Sequence, residues 1–234
     1  GFMRKGLAGG HIGFGGIRTL GTPRRLTVIV TGLAPRQEDA SVEVKGPSTK
    51  AAFDAEGKPT GALLGFARSQ SIEIEDLKTV KTDKGEYLYA LKEIKGRDTS
   101  EILPALLKEA VSQDMFAKSM RWNNYETTFA RPVHWILAIY GGRPVEFEWG
   151  HIKSSNLTFG HRFLAAGAGL AGPIEISGAD DYIEKLQKAF VIVDGEERKK
   201  IIREGLAREA QAAGGRLVPD EGLVEEVAYL VEYP

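Results

Sequence analysis

The apolar residues of this chain change period repeatedly, and that limits what it can fold into more than any single motif does. Leu26-Thr27-Val28-Ile29-Val30 is β-branched and bounded by Pro23 and Gly32, and Val42-Glu43-Val44 alternates until Lys45-Gly46-Pro47, so both read as strands. Residues 60–69 then place Leu63, Leu64, Phe66 and Ala67 at helical spacing. The pattern turns back to a strand from Lys84, over Glu86-Tyr87-Leu88-Tyr89-Ala90-Leu91. Thr99 or Ser100 opens a helix to about residue 111, with Pro104 early enough to be tolerated. Residues 132–140 fit a helix or a buried strand; Trp135, Ile136 and Ile139 favour the helix. Val145-Glu146-Phe147-Glu148-Trp149 alternates as a strand.

Beyond a glycine-rich hinge at residues 167–172, Ile174-Glu175-Ile176 reads as a strand, 180–189 as a helix and Phe190-Val191-Ile192-Val193 as a strand. Asp194 caps a long helix, with Glu197 as its capping-box partner and Ile201, Ile202, Leu206 and Ala210 as a buried stripe. A last helix spans 223–231. Helices and strands do not alternate strictly and no segment repeats, so the class is α+β. At the front, Gly9-Gly10-His11-Ile12-Gly13-Phe14-Gly15-Gly16 is too rich in glycine for a regular element, and residues 1–16 read as a flexible or added start. Met3 behind Gly1 and Phe2 suggests a piece of a longer protein.

With 42% apolar and 27% charged residues, the 234-residue chain has the balance of a globular protein. The uncharged apolar run at 132–142 is too short to cross a membrane. Cysteine is absent, which removes disulfides, thiol catalysis and Cys-bound zinc and suits a reducing cytoplasm. The net charge of −1 is unevenly spread: residues 173–234 carry 14 acids and 8 bases, leaving +5 on residues 1–172. No acid precedes Glu38, whereas Arg4, Lys5, Arg18, Arg24, Arg25 and Arg36 all precede it. A basic front half suits a polyanion, although solvated surface charge explains it as well.

The usual catalytic signatures are missing. There is no P-loop, no GxGxxG after a strand, no GxSxG elbow, and the histidines at 11, 134, 151 and 161 lack metal-ligand spacing. His11-Ile12-Gly13 and Lys118-Ser119-Met120 partly match the ATP signatures of class I aminoacyl-tRNA synthetases, but Phe14 replaces the second histidine and the second lysine is lacking, so the match is rejected. What remains are clusters of cations and aromatics: Thr22-Pro23-Arg24-Arg25, Lys118-Ser119-Met120-Arg121-Trp122, Arg131-Pro132-Val133-His134-Trp135 and Thr158-Phe159-Gly160-His161-Arg162-Phe163. Arginine grips phosphate bidentately and aromatic faces stack on unpaired bases; the same clusters also form as arginine–indole packing at a core edge. Neighbours on a strand face opposite ways, so at most one of Arg24 and Arg25 faces a given ligand.

These clusters, with Ile17-Arg18-Thr19-Leu20-Gly21-Thr22-Pro23-Arg24-Arg25-Leu26, Val44-Lys45-Gly46-Pro47, Gly65-Phe66-Ala67-Arg68-Ser69 and Lys84-Gly85-Glu86-Tyr87-Leu88, resemble the bacterial glycyl-tRNA synthetase β subunit, in the same order from about Ile17 to Pro234. The family's opening Glu-Ile-Gly-Thr-Glu-Glu-type segment is missing. The resemblance implies an amino-terminal portion of a long β subunit. Residues 17–172 would be an α+β domain with a mixed β-sheet core similar to the B3/B4 domain of phenylalanyl-tRNA synthetase, an insertion near 47–113 being left open. Residues 173–234 would form a more helical segment toward the next module.

In function, the resemblance implies a non-catalytic part that binds or positions tRNA(Gly) for glycylation on the α subunit, where ATP and Mg would act. No cofactor, metal or catalytic residue is expected in this part. The expected partners are tRNA(Gly), the α subunit and the remaining β-subunit domains, in the cytoplasm and without a membrane. Arg18, Arg24, Arg25, Lys118, Arg121 and Arg162 are the candidate tRNA-binding residues. One alternative is a subunit-docking scaffold, for which the acidic second half is suited; a weaker one is a trans-editing hydrolase, since glycine's small size leaves little need to edit.

Overall fold

A computed structural model describes residues 1–54, 56–82, 85–113, 116–122 and 124–234. The strand signal at Lys84 lies partly outside these residues. The chain forms two compact units: Gly1–Pro35 with Thr99–Pro234, and Arg36–Asp98. The second unit therefore interrupts the first at 36–98, where the sequence suggests 47–113. No unit boundary falls at 172/173, because Ile174 and Ile176 pack into the same core as Leu20.

The first unit opens with helix α1 (Phe2–Gly9), where the sequence reads a flexible start. Glycines are poor helix formers, but Leu7 is completely buried beside Leu103 and Leu106, and tertiary packing outweighs propensity. Gly6 lets the helix pack closely there: a Cβ would lie 2.4 Å from Leu106 Cδ1, so the leucine would have to shift. The loop after α1 leads into an antiparallel hairpin of β1 (Gly16–Thr22) and β2 (Arg25–Thr31), paired from Gly16↔Thr31 to Thr22↔Arg25.

The second unit holds β3 (Ala40–Ser48), α2 (Thr49–Ala52), α3 (Gly61–Gln70), β4 (Lys78–Thr82) and β5 (Gly85–Ile94). Its antiparallel sheet runs β3-β5-β4, with an irregularity between Lys45 and Ser48. The helices supply Ala52 and Leu63, and β5 supplies Leu88, to a small core edged by Ile74 and Leu77. Of the expected apolar face of α3, Leu63 and Ala67 are buried while Leu64 is exposed.

The chain re-enters the first unit at α4 (Thr99–Val111), where the buried Thr99 donates through Oγ1 to the Ala34 carbonyl at 2.7 Å. Short strands follow: β6 (Met120–Arg121), β7 (Thr128–Phe129), β8 (Ile136–Leu137), β9 (Ile139–Tyr140), β10 (Arg143–Pro144), β11 (Glu148–Trp149), β12 (Ile152–Ser155) and β13 (Leu157–Phe159). The helix favoured for 132–140 is thus corrected to two strands: β8 pairs parallel with β12 and β9 antiparallel with β10. Its helical spacing was coincidental, because half-buried residues there serve sheet partners on either side of Ala138.

Helix α5 (Leu164–Gly167) and β14 (Pro173–Glu175), paired with β13, lead to α6 (Ala179–Lys188), α7 (Gly195–Ala212) and α8 (Glu221–Ala228). Asp194 caps α7, accepting from Glu196 N at 2.9 Å, and Asp220 caps α8, accepting from Leu223 N at 2.9 Å. Residues 190–193 are not a strand. Phe190 sits at φ 59°, and Val191 N donates to the Leu186 carbonyl at 2.8 Å, closing α6 in the manner of a Schellman motif. The apolar run then continues as buried coil, with Ile192 N donating to the Glu232 carbonyl at 2.8 Å.

Among the described residues, no helix is long and apolar enough to cross a membrane, and no three His, Asp or Glu side chains cluster in a way that could hold a metal ion.

Candidate functional site

The hairpin decides the roles of its two adjacent arginines. Pro23 presets the turn and Thr22 Oγ1 accepts from Arg24 N at 3.1 Å, so Arg24 projects from the tip into solvent. Arg25 begins β2, whose inward residues are Arg25, Thr27 and Ile29, while Leu26 and Val28 face outward. The Arg25 guanidinium is buried against Glu232, with which it forms an ion pair, and its Nη2 donates to the Phe159 carbonyl at 2.6 Å and the Gly160 carbonyl at 3.3 Å. Its Cζ also lies 5.5 Å from the centre of the Trp135 ring. Arg25 is therefore corrected: no face of its guanidinium is presented to a ligand, and it fixes the backbone beneath one.

That backbone is the floor of an open cleft of about 540 Å3, within the size range of ligand sites. Arg24, His134, Trp135, Phe159, His161 and Arg162 line it, with a wall of Gly160, Ala165, Ala166, Leu170 and Ala171. Four of these side chains are of basic type and none is a carboxylate. Trp135 and Phe159 meet edge to face with ring centres 5.2 Å apart. His161 Nδ1 accepts from Phe163 N at 3.2 Å and Leu164 N at 3.1 Å, which places the proton of the neutral ring on Nε2 and leaves that N–H as a donor. Gly160 allows the strand to close on its neighbours: a Cβ would sit 2.7 Å from Ala189 Cβ and 2.9 Å from Ala165 Cβ.

The structure brings Arg24 and Arg162 to this cleft but scatters the other candidates. Arg18 is exposed on β1 and its Nη2 reaches Asp194 Oδ2 at 2.5 Å, so part of its charge is already answered. Lys118 and Arg121 are exposed near and on β6, and neither lines the cleft. Around them the aromatic side chains are packing: Trp122 and Trp149 lie 5.7 Å apart, and Phe129 meets Trp149 at 6.0 Å.

Three residues behind the site have no motif to announce them. Glu232, with 4% of its side chain exposed, takes Thr22 Oγ1–H at 2.7 Å as well as Arg25. Arg198 is fully buried in α7, donating to the carbonyls of Ala228 (2.8 Å), Ile192 (2.6 Å) and Gly21 (2.8 Å). Burial lowers its pKa, opposed by the charges of Tyr229, Glu232 and Asp194. Tyr182 bonds Thr27 Oγ1 at 2.8 Å, and burial raises its pKa. The expected apolar stripe of α7 is thus corrected: Arg198 and Lys199 are its buried residues, Ile201 and Ile202 are half-buried, and Leu206 is exposed. Nothing local announced this; a buried arginine looks in sequence like any solvated one.

Comparison with known proteins adds what geometry alone does not supply. The family described as "Glycyl-tRNA synthetase beta subunit" matches residues 2–234. The chain is 47% identical over 232 residues to a "Glycine--tRNA ligase beta subunit" of Syntrophotalea carbinolica. It is 46% identical to those of Geobacter metallireducens and Anaeromyxobacter dehalogenans. Each alignment covers 99% of this chain but only 32–33% of the relative, so the chain spans about a third of their length.

Proposed function

The chain belongs to the glycyl-tRNA synthetase β-subunit family, and on that premise we propose that it is the non-catalytic amino-terminal portion of the β subunit of a heteromeric glycine–tRNA ligase. In this reading it binds or positions tRNA(Gly) in the cytoplasm while ATP-dependent glycylation, with ATP and Mg, takes place on the α subunit. The observation that carries it is the family match running along residues 2–234. The α+β architecture is compatible with kinship to the B3/B4 domain of phenylalanyl-tRNA synthetase, which is part of the same proposal.

The geometry supports a revised set of contact residues. Arg18, Arg24, Lys118, Arg121 and Arg162 are exposed, while Arg25 is withdrawn. Spread-out cations on a β scaffold suit backbone phosphates, which position a nucleic acid without reading its sequence. A docking scaffold is the second reading, favoured by Leu206, Val218, Leu223 and Leu230, all exposed on the acidic carboxy-terminal segment.

One experiment tests both: replace the five exposed cations by alanine in full-length β and assemble it with α. On the tRNA reading, tRNA affinity falls at least about tenfold and the slope of log affinity against log salt becomes shallower by a few units. Glycine activation without tRNA stays intact. Unchanged affinity and slope would reject the tRNA face and leave the scaffold.

A further inference from the structure

We infer that the cleft between the hairpin tip and the segment 159–171 is a subsite for one unpaired nucleotide, its base on the aromatic rim and its phosphate on Arg24 and Arg162. This rests on the tRNA reading above and deepens it, because phosphate contacts alone need no cleft and no aromatic groups. The lining combines two arginines, two histidines, Trp135 and Phe159 with no carboxylate, in a chain whose net charge is −1. An acidic peptide would suit the cations but not the aromatic edge. A paired helix presents its bases edge-on within a stack and cannot offer a flat face to a ring, whereas an unpaired base can.

Phe163 strengthens the assignment. It is 72% exposed beside the rim, with the Arg162 guanidinium 5.5 Å above its ring and the His161 ring centre 6.4 Å away. An open phenylalanine with an arginine laid over its ring forms a platform on which a base stacks. Among the described residues, no ion pair is formed by Arg24 or Arg162, so neither charge is answered by a carboxylate. The floor is held still from below, since Arg25 bonds the Phe159 and Gly160 carbonyls and is itself held by Glu232.

The test compares a short single-stranded RNA with a blunt duplex of equal charge, binding to the full-length chain and to its Phe163→Ala and Phe163→Tyr variants. Phe163 is exposed enough that neither change endangers the fold. Phe163→Ala should weaken the single strand about tenfold or more, a loss typical of one removed stacking contact. The duplex should be unaffected, the salt slope unchanged, and Phe163→Tyr should restore binding. Competition by a free mononucleotide would assign the subsite to nucleotides as such, and competition by the oligonucleotide alone would assign it to RNA. Equal loss on duplex and single strand, or no loss on either, would overturn the inference. The five-alanine experiment would still judge the tRNA reading on its own.

Discussion

In the first unit Arg25 and Arg198 lie with their guanidinium groups inside the protein, whereas in the second unit Arg36, Lys58 and Lys81 meet their partners in open solvent. Arg198 joins three carbonyls from three separate segments, and Arg25 joins two more and a buried carboxylate. The second unit's pairs, Arg36–Asp39 at 3.2 Å, Lys58–Glu56 at 3.9 Å and Lys81–Glu86 at 3.4 Å, are exposed at both ends. Exposed pairs contribute about 0–1 kcal/mol, while removing one member of a buried charged network costs several times that. The first unit therefore uses charge to hold irregular segments together, and the second leaves that task to Ala52, Leu63 and Leu88.

The sharpest way to break this contrast is Arg198→Ala. Three carbonyls, two of them buried, lose their donor at once, and the first unit should be destabilised by about 3–5 kcal/mol. Hydrogen exchange should report the loss in 190–193 and α8 while the sheet of the second unit keeps its protection; protection unchanged near 192 would sink the claim.

Leu63→Ala probes the other side. It opens a cavity in the small core of the second unit and should cost about 2–4 kcal/mol, read as faster exchange in β5 with the first unit unaffected. If α7 and α8 lost protection equally, the two units would not be separate.

The smallest effect is in acid. Arg203 bonds Glu221 through both carboxylate oxygens, at 2.6 Å for the closest contact, and holds its pKa below the ordinary value. A depressed folded-state pKa stabilises above the unfolded value and ceases to do so as pH falls through the folded one. Acidification below about pH 4 should therefore loosen α8 against α7 slightly. Glu221→Gln should remove that part of the pH profile in a far-ultraviolet titration; an unchanged profile would place the acid sensitivity elsewhere.

Much of the fold was legible because local rules wrote it. The residues Asp194, Thr99 and the apolar spacing of 180–189 gave helices within about a residue of those observed, and Leu26 to Val30 gave β2. Residues 190–193 misled because four apolar β-formers mean burial, and burial does not require a ladder; Phe190 in the left-handed region ends a helix instead. The glycine-rich front misled for the converse reason, since the packing that makes Phe2–Gly9 helical comes from α4, about a hundred residues on. Of the candidate site, the segments at 22–25, 131–135 and 158–163 were readable as clusters rich in cations and aromatics, but their convergence on one cleft was not.

By itself the sequence determined the α+β class, the aspartate cap of α7, the strand β2 and the family to which the chain belongs, because each rests on neighbours in the chain or on motifs in order. Only the tertiary structure decided which face of β2 turned inward. Leu26 and Val28 would win that choice on hydrophobicity, yet Arg25, Thr27 and Ile29 took it. The physical reason is Glu232, 207 residues away, together with the carbonyls of Phe159 and Gly160. A charge can be buried where a distant segment supplies its partners, and no local pattern records that such a segment will arrive.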